Sequence, residues 1–443
     1  MIKSYLDEEQ LVQDAVGLGI SDKLARLHIA TVIRKVIQHE KQNKLSGQEF
    51  DLRKLTQALP PWVHEVCEGR QTVTSKVVQV SESSDYVTTK LLIELQDSEL
   101  QIETVILRHQ KRTTICVSSQ VGCKMKCTFC ATGTLGQIAN LKSWEISEQL
   151  IHALRFLNQK TEPRTITNVV FMGMGEPLNN YTEVVQAVRT MVDPGRFSLS
   201  PSRVTISTVG VVNRMRQLFQ EMPNVRIALS LHAPNQELRQ LIIPTATSYP
   251  IDKLMATLME YVTEQRSVKS DTCVMIEYIL LHGVNDMPEI AHELAELLKP
   301  MGSHVKVNLI PYNPIFNAQG LAKTFVPPAE SDVVEFQRIL HQVHGLFCTA
   351  RKEMGQDMNA ACGQLACVAK DEKKLTAAGV LDIEDLYQSR KDNNLYNEET
   401  GKNVWKKTKA EPRRQLDHAL LAAAAATALA VGLAVAYLFL RKR

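Results

Sequence analysis

The sequence predicts an α/β protein organised around a parallel sheet, and three observations carry that prediction. Six short apolar runs lie between residues 113 and 310, separated by amphipathic segments with helical spacing. Six βα-type units in a row imply right-handed crossovers, in either an open sheet or a partial barrel. The composition is that of a globular chain: 443 residues, 44% apolar and 22% charged. Those values exclude a disordered, collagen-like or polytopic membrane protein. The net charge of +3, from 51 Lys+Arg against 48 Asp+Glu, permits a nucleic-acid partner without demanding one.

Residues 1–70 read as a small helical N-terminal domain. Across 24–40, Leu24, Leu27, Ile29, Val32, Ile33 and Val36 recur at helical intervals, and Pro60-Pro61 breaks the run before Trp62. Residues 71–108 switch to period two in TVTSKVVQV, YVTTKLLIEL and QIETVILRH, a short antiparallel meander. The core, 109–370, then alternates strand and helix. Its strands are TTICV (113–117), NVVFM (168–172), RVTIS (203–207), VRIALSL (225–231), CVMIEYILL (273–281) and HVKVNLI (304–310). The first intervening helix, 144–158, puts Ile146, Leu150, Ile151, Leu154 and Leu157 on one face. Residues 371–417 are polar and mixed in charge and read as a linker.

The two ends of the chain differ. MIKSYLDEEQLVQD carries four acids and no apolar core, unlike a secretory or transit peptide. Near the other end, 419–440 is an apolar run of 22 residues without a charge, closed by Arg441-Lys442-Arg443. That length fits one membrane helix over 418–440, and the run lacks the polar face of a packed surface helix. A single span there would tail-anchor the body on the cytoplasmic face. The competing reading is an Ala-rich soluble helix.

Nine cysteines, at 67, 116, 123, 127, 130, 273, 348, 362 and 367, are too few for a disulfide scaffold. Cys123, Cys127 and Cys130 form Cys-x3-Cys-x2-Cys, so three thiolates on one loop can turn toward one centre. Structural zinc takes four protein ligands. A cubane iron–sulfur cluster also takes four, and three cysteines leave one iron open for another ligand. No histidine or fourth cysteine adjoins the group, although Cys116 lies seven residues upstream, and Phe129 supplies an apolar wall.

A second pattern is independent of the cysteines. In β/α barrels, functional residues gather at the C-terminal ends of strands. Cys123 follows the first core strand, Gly173-Met-Gly175-Glu176-Pro177 the second and Ser207 the third. Ser230 and His232 close the fourth, and Asn313 follows the sixth, so the candidates share one rim. Glycines after a strand let backbone approach a ligand, and a carboxylate there can take a cationic group.

The cysteine spacing resembles the radical S-adenosylmethionine (SAM) superfamily. The segments around Cys116, Gly173–Pro177, Ser230-Leu-His232, Ile310-Pro-Tyr-Asn-Pro314 and Ala361-Cys362-Gly-Gln-Leu365 resemble the bacterial adenine-C2 RNA methyltransferases, across roughly residues 1–368. The resemblance implies a partial (β/α)6 radical SAM barrel and one 4Fe-4S cluster per chain on Cys123, Cys127 and Cys130. It implies SAM contacts from Gly175, Glu176, Ser207, Ser230, Leu231, His232 and Asn313. It further implies Glu103 as general base, Cys362 as the residue that carries the methyl group, and Cys116 as its resolving partner in a disulfide. The implied reaction methylates carbon 2 of adenine in rRNA or tRNA. In it, Cys362 takes a methyl group from one SAM, and a second SAM is cleaved to a radical that activates that methyl for addition to C2. The implied partners are RNA, a reductant such as flavodoxin or ferredoxin and, through 418–440, a membrane; the chain is expected to be a monomer. Cys367 gains no role. Arg108-His-Gln-Lys-Arg112 is the best phosphate-binding stretch in the sequence. Rival readings are adenine-C8 methylation by the same machinery, a membrane-anchored iron–sulfur electron carrier and a zinc-dependent RNA-binding module.

Overall fold

Alternation in the meander and the apolar core runs combine into a single ten-stranded sheet. The computed structural model describes residues 3–42, 51, 54, 58–96, 99–160, 165–266, 273–315, 318, 320–351, 355, 359–361, 363–365, 396–397 and 402–403. Contacts divide the chain into Met1–Cys367 and Val368–Arg443.

The N-terminal segment forms helices Glu8–Gly17, Asp22–Gln42 and Pro61–Cys67, with β1 (Lys3–Ser4) pairing parallel to β2 (Arg70–Gln71). Two expectations change here. The long helix buries Ala25, Ile29, Val32, Ile33, Val36 and Ile37, whereas Leu24 and Leu27 are exposed. At about 100° per residue, those two leucines fall on the side opposite the buried stripe. Pro61 also begins a helix instead of ending one, since proline at the first helical position forfeits an N–H that has no intrahelical partner.

The sheet starts with β3 (Lys76–Glu82), β4 (Thr88–Glu94), β5 (Gln101–Arg108) and β6 (Thr113–Cys116), all antiparallel. A hairpin outside it, β7 (Gln120–Cys123) with β8 (Gly136–Asn140), carries the cysteine segment. Parallel pairing then runs from β6 through β9 (Asn168–Phe171), β10 (Val204–Thr208), β11 (Arg226–Ser230), β12 (Val274–Leu280) and β13 (Val305–Pro311) to β14 (Phe347–Ala350). All six predicted core strands are present, and β14 adds a parallel strand the sequence did not announce. Strand order follows chain order from β3 to β14, with the hairpin left out, and the sheet is not closed on itself. The meander is thus continuous with the core through β5–β6 pairing.

Helices such as Ser143–Asn158, Tyr181–Val192 and Pro288–Leu298 bury their apolar faces in the main core. Val368–Arg443 contributes one antiparallel pair, β15 (Tyr396–Asn397) and β16 (Lys402–Asn403). The expected membrane helix over 418–440 and most of the linker lie outside the described residues, as do Cys362 and Cys367. Among the described residues, no helix is long and apolar enough to cross a membrane.

Candidate active site

One cavity opens at the C-terminal ends of the parallel strands. Cys123, Cys127 and Cys130 line one wall, and Gly175, Glu176, Ser207, Ser230 and His232 line the rest. The rim expected from strand ends is therefore a physical cavity. Asn313 is buried nearby in sequence after β13, but it does not line this cavity, and the Leu231 side chain belongs to the main core.

The cysteine wall is held by its surroundings. β7 ends at Cys123, which pairs with Gly136 of β8. Gly122 lies so close to that partner strand that a Cβ would stand 1.8 Å from the Gly136 oxygen. Thr128 N–H donates to the Ile242 carbonyl at 2.9 Å, and Thr245 Oγ1 donates to the Met125 carbonyl at 3.1 Å. Burial pushes the Cys123 thiol up to about 12 and Cys127 upward as well, so thiolates here need a cation to hold them. Among the described residues, only His282, Asp286 and Asp332 bring three ligand atoms within 4.8 Å of one another.

The turn after β9 requires its glycines. A Cβ on Gly173 would stand 2.7 Å from the Val117 oxygen; Gly175, at φ +101°, would put one 2.6 Å from Gln120 Cβ. Glu176 follows, 3% exposed. Its Oε1 accepts from Leu178 N–H at 3.0 Å and its Oε2 from Val209 N–H at 2.9 Å, while its own N–H donates to Gln120 Oε1 at 2.8 Å. Burial raises the Glu176 carboxyl, and the two backbone donors oppose that rise.

His232 adopts φ +61° and is edge-on to Phe129, with ring centres 4.7 Å apart. Its Nδ1 accepts from Ile279 N–H at 3.0 Å, so in the neutral ring the proton sits on Nε2. Burial, with Arg239 nearby, depresses the His232 pKa to about 3. Ser207 and Ser230 face each other across β10 and β11, Oγ to Oγ 3.4 Å.

The other two candidates lie on the inner face of the same sheet. Register sets Cys116 beside Val105 on β5 and Val170 on β9; Glu103, two residues before Val105, shares that face. Glu103 is buried, and its Oε1 is 3.1 Å from Lys90 Nζ. Ser118 Oγ donates to the Glu103 carbonyl at 2.6 Å and accepts from Met174 N–H at 2.9 Å, tying this region to the glycine turn. The solvated surface carboxylate that an alternating strand suggests is not what the fold makes of Glu103.

Residues on both sides of position 362 are also pinned. Lys90 Nζ donates to the Asn359 carbonyl at 3.3 Å, Ala131 N–H to the Gly363 carbonyl at 2.7 Å, and Gln364 Nε2 to the Pro314 carbonyl at 2.9 Å. This strap joins β4, the cysteine segment and the loop after β13. Gly363 lines the cavity.

Three side chains went unnoticed in the sequence. Arg239 is fully buried and donates to the carbonyls of Leu231, Tyr249 and Val209 at 3.2, 3.1 and 2.6 Å, clamping the ends of β10 and β11. Glu277 and Arg351 line the cavity as an ion pair at 3.5 Å. No motif marks any of them; a lone charge inside an apolar run, as in CVMIEYILL, was the available signal. The predicted phosphate stretch is corrected in part. Arg108 is turned inward, with Nη2 3.0 Å from Glu82 Oε1 and its guanidinium over Phe156, leaving Lys111 and Arg112 exposed at the β5–β6 turn.

Comparison with known proteins adds a family. The sequence matches the Radical SAM superfamily over residues 117–308. It is 43% identical over 309 residues to "Ribosomal RNA large subunit methyltransferase N" of Nitrosopumilus maritimus, covering 68% of this chain and 83% of that one. It is 42% identical over 265 residues to "Dual-specificity RNA methyltransferase RlmN" of Buchnera aphidicola subsp. Schizaphis graminum, covering 60% and 70%. A crystal structure of a radical SAM methyltransferase from Sphaerobacter thermophilus superposes with TM-score 0.69 at 34% identity, over 82% of this chain and 99% of that one.

Proposed function

This chain belongs to the radical SAM family of RNA methyltransferases, and on that premise we propose that it methylates carbon 2 of adenine in ribosomal or transfer RNA. It is an enzyme that uses a 4Fe-4S cluster and SAM. The relatives support the choice of C2, and the observation that supports the methyl-transfer machinery is the shared inner face. Glu103 and Cys116 lie on the same sheet surface as Ser207 and Ser230, beside a cavity walled by Cys123, Cys127 and Cys130.

Cys123, Cys127 and Cys130 would hold the cluster, and Gly175, Glu176, Ser207, Ser230 and His232, which line the cavity, would surround SAM; Asn313 and Leu231, outside its lining, keep only the role the resemblance gives them. When bound, the cluster and SAM supply the methyl group and the one-electron chemistry that an electrophilic ring carbon needs. The protein's own part is as follows. The Cys362 sulfur carries the methyl carbon to C2, making a covalent link between enzyme and RNA. Glu103, held by Lys90, takes the C2 proton. Cys116, as its thiolate, then attacks the Cys362 sulfur; the sulfur–carbon bond breaks with its electron pair kept by the transferred carbon, which takes up a proton to become the methyl group, and the product leaves a Cys116–Cys362 disulfide. A small electron-transfer protein such as flavodoxin or ferredoxin would reduce that disulfide and the cluster. Lys111 and Arg112, exposed at the β5–β6 turn, would meet phosphates, and the target base would have to leave its stack to enter.

A denaturing gel of protein, RNA and SAM tests these roles. Cys116→Ala should accumulate an RNA-dependent shifted band, and Cys362→Ala should show none. A shift with Cys362→Ala, or normal turnover by both variants, would refute the assignment. For residues 418–440 we retain the reading of a single membrane helix that keeps the body on the cytoplasmic side, supported by the apolar run alone. Release of a fusion carrying 400–443 by carbonate would overturn it.

A further inference from the structure

The inner face of the sheet, which carries Ser207 and Cys116, also carries cations. Register runs from Ser207 through Ala228, Met275 and Lys306 to Phe347, one residue from each of β10 to β14. A second row runs from Cys116 through Val170 and Thr205 to Arg226. Register neighbours share a face, so Lys306, Phe347 and Arg226 lie on the side of the sheet that holds the cavity serines. Where a β/α barrel is packed shut, such layers consist of bulky branched side chains. Here Arg226 and Lys306 are exposed, and Phe347 is 53% exposed. The sheet stops at β14, so solvent reaches its inner side there.

The three side chains act as a set. Lys306 Nζ lies 5.3 Å from the centre of the Phe347 ring. Burial raises the Cys273 thiol, and Lys306 and Arg226, on the strands either side of β12, oppose that rise. Neither cation forms an ion pair among the described residues. Two unbalanced cations beside an exposed ring match a single nucleic-acid strand, whose bases stack on aromatic faces and whose phosphates take Lys and Arg. Arg226 is three strands from Cys116 in its row, about 14 Å at the usual strand spacing, so a strand held here runs alongside the thiol. We propose that this patch is the entry site of the substrate RNA. Phe347 stacks on a base next to the target adenine, and Lys306 and Arg226 bind the flanking phosphates. This rests on the reading that RNA is the substrate.

The test is fluorescence anisotropy of a labelled RNA hairpin with adenine in its loop, added to full-length, cluster-loaded protein with SAM and no reductant, at several salt concentrations. Lys306→Gln combined with Arg226→Gln should weaken binding about tenfold or more and lower the salt slope by about 0.7 for each cation removed. Phe347→Ala should weaken binding about tenfold and leave the slope unchanged. Lys253→Gln, on the outer helix Ile251–Arg266, should match the wild type. Iron content and melting temperature of each variant should match it too. Ultraviolet crosslinks between the hairpin and the wild type should fall on the peptide that contains Phe347. Crosslinks confined to other peptides overturn the assignment even if a variant fails to fold. An unchanged salt slope in the double variant, or an equal loss in Lys253→Gln, overturns it too. Failure of the wild type to bind either the hairpin or total tRNA would instead overturn the substrate reading beneath it.

Discussion

Substituting Gly175 by alanine should damage this protein far more than the same change at Gly136, although both glycines have positive φ. At Gly136, φ is +69° and nothing lies within 4 Å of the added methyl, so the cost is that of the left-handed backbone alone, about 1 kcal/mol. At Gly175, φ is +101° and the new Cβ would stand 2.6 Å from Gln120 Cβ and 2.9 Å from Gln120 N. Strain of about 1–3 kcal/mol then adds to overpacking of about 1–3 kcal/mol. The displaced Gln120 is the acceptor for Glu176 N–H at 2.8 Å and donates through Nε2 to Asn140 Oδ1 at 2.7 Å. Any shift therefore reaches the Glu176 carboxylate and the Val209 backbone it binds. Urea unfolding of the apoprotein should show Gly175→Ala about 1–5 kcal/mol less stable than Gly136→Ala, with the denaturant slope unchanged. SAM binding should fall in the first variant only. Equal midpoints would show that the Gln120 contact yields freely and that the turn is not the rigid cradle described.

Anaerobic protein should carry about four iron and four sulfide per chain, and alanine at Cys123, Cys127 or Cys130 should strip the iron; stoichiometric zinc without iron would refute the cluster. Acid should weaken the apoprotein. His232 and His152 are both depressed to about 3 by burial, so the stability they contribute is complete above about 6.5 and is lost as pH falls toward 3. Glu145, raised to about 7 by burial, works in the opposite direction. Between pH 6.5 and 5.5 each of the two histidines costs about 1 kcal/mol, so the urea midpoint of His152→Gln should fall less over that range than that of the wild type; an identical fall would count against it. Lys90→Met removes the ammonium from Glu103 and from the Asn359 carbonyl. Methyl transfer should slow by about tenfold or more while iron content stays at the wild-type level; unchanged turnover would leave Lys90 a packing residue only.

The parallel strands were readable because each is a run of β-branched and apolar residues bounded by polar turns. β14 was not, because Phe347–Ala350 is four residues long and Phe347, Thr349 and Ala350 are all exposed at the sheet edge. The hairpin around the cysteines was hidden for another reason: its pairing depends on glycines 122 and 136, which read locally as loop. The cysteines, the glycine turn and the strand-end serines were legible because their types and spacing are unusual. Glu277 was not, and Glu103 only through the resemblance, since burial on a particular face depends on which strands lie beside them. A parallel strand, apolar on both faces, conceals which of its residues point inward.

The agreement between strand order and chain order has a consequence for how the molecule is made. From β3 onward, each strand of the sheet docks against one synthesised before it. A nascent chain can therefore extend its sheet one edge at a time, without holding a gap open for a later insertion. The strap near Gly363 is the last part of Met1–Cys367 to leave the ribosome, and it bonds back to Ala131 and Pro314, which are already in place. Biosynthesis itself thus leaves for last the segment that ties the cysteine helix turn to the loop after β13.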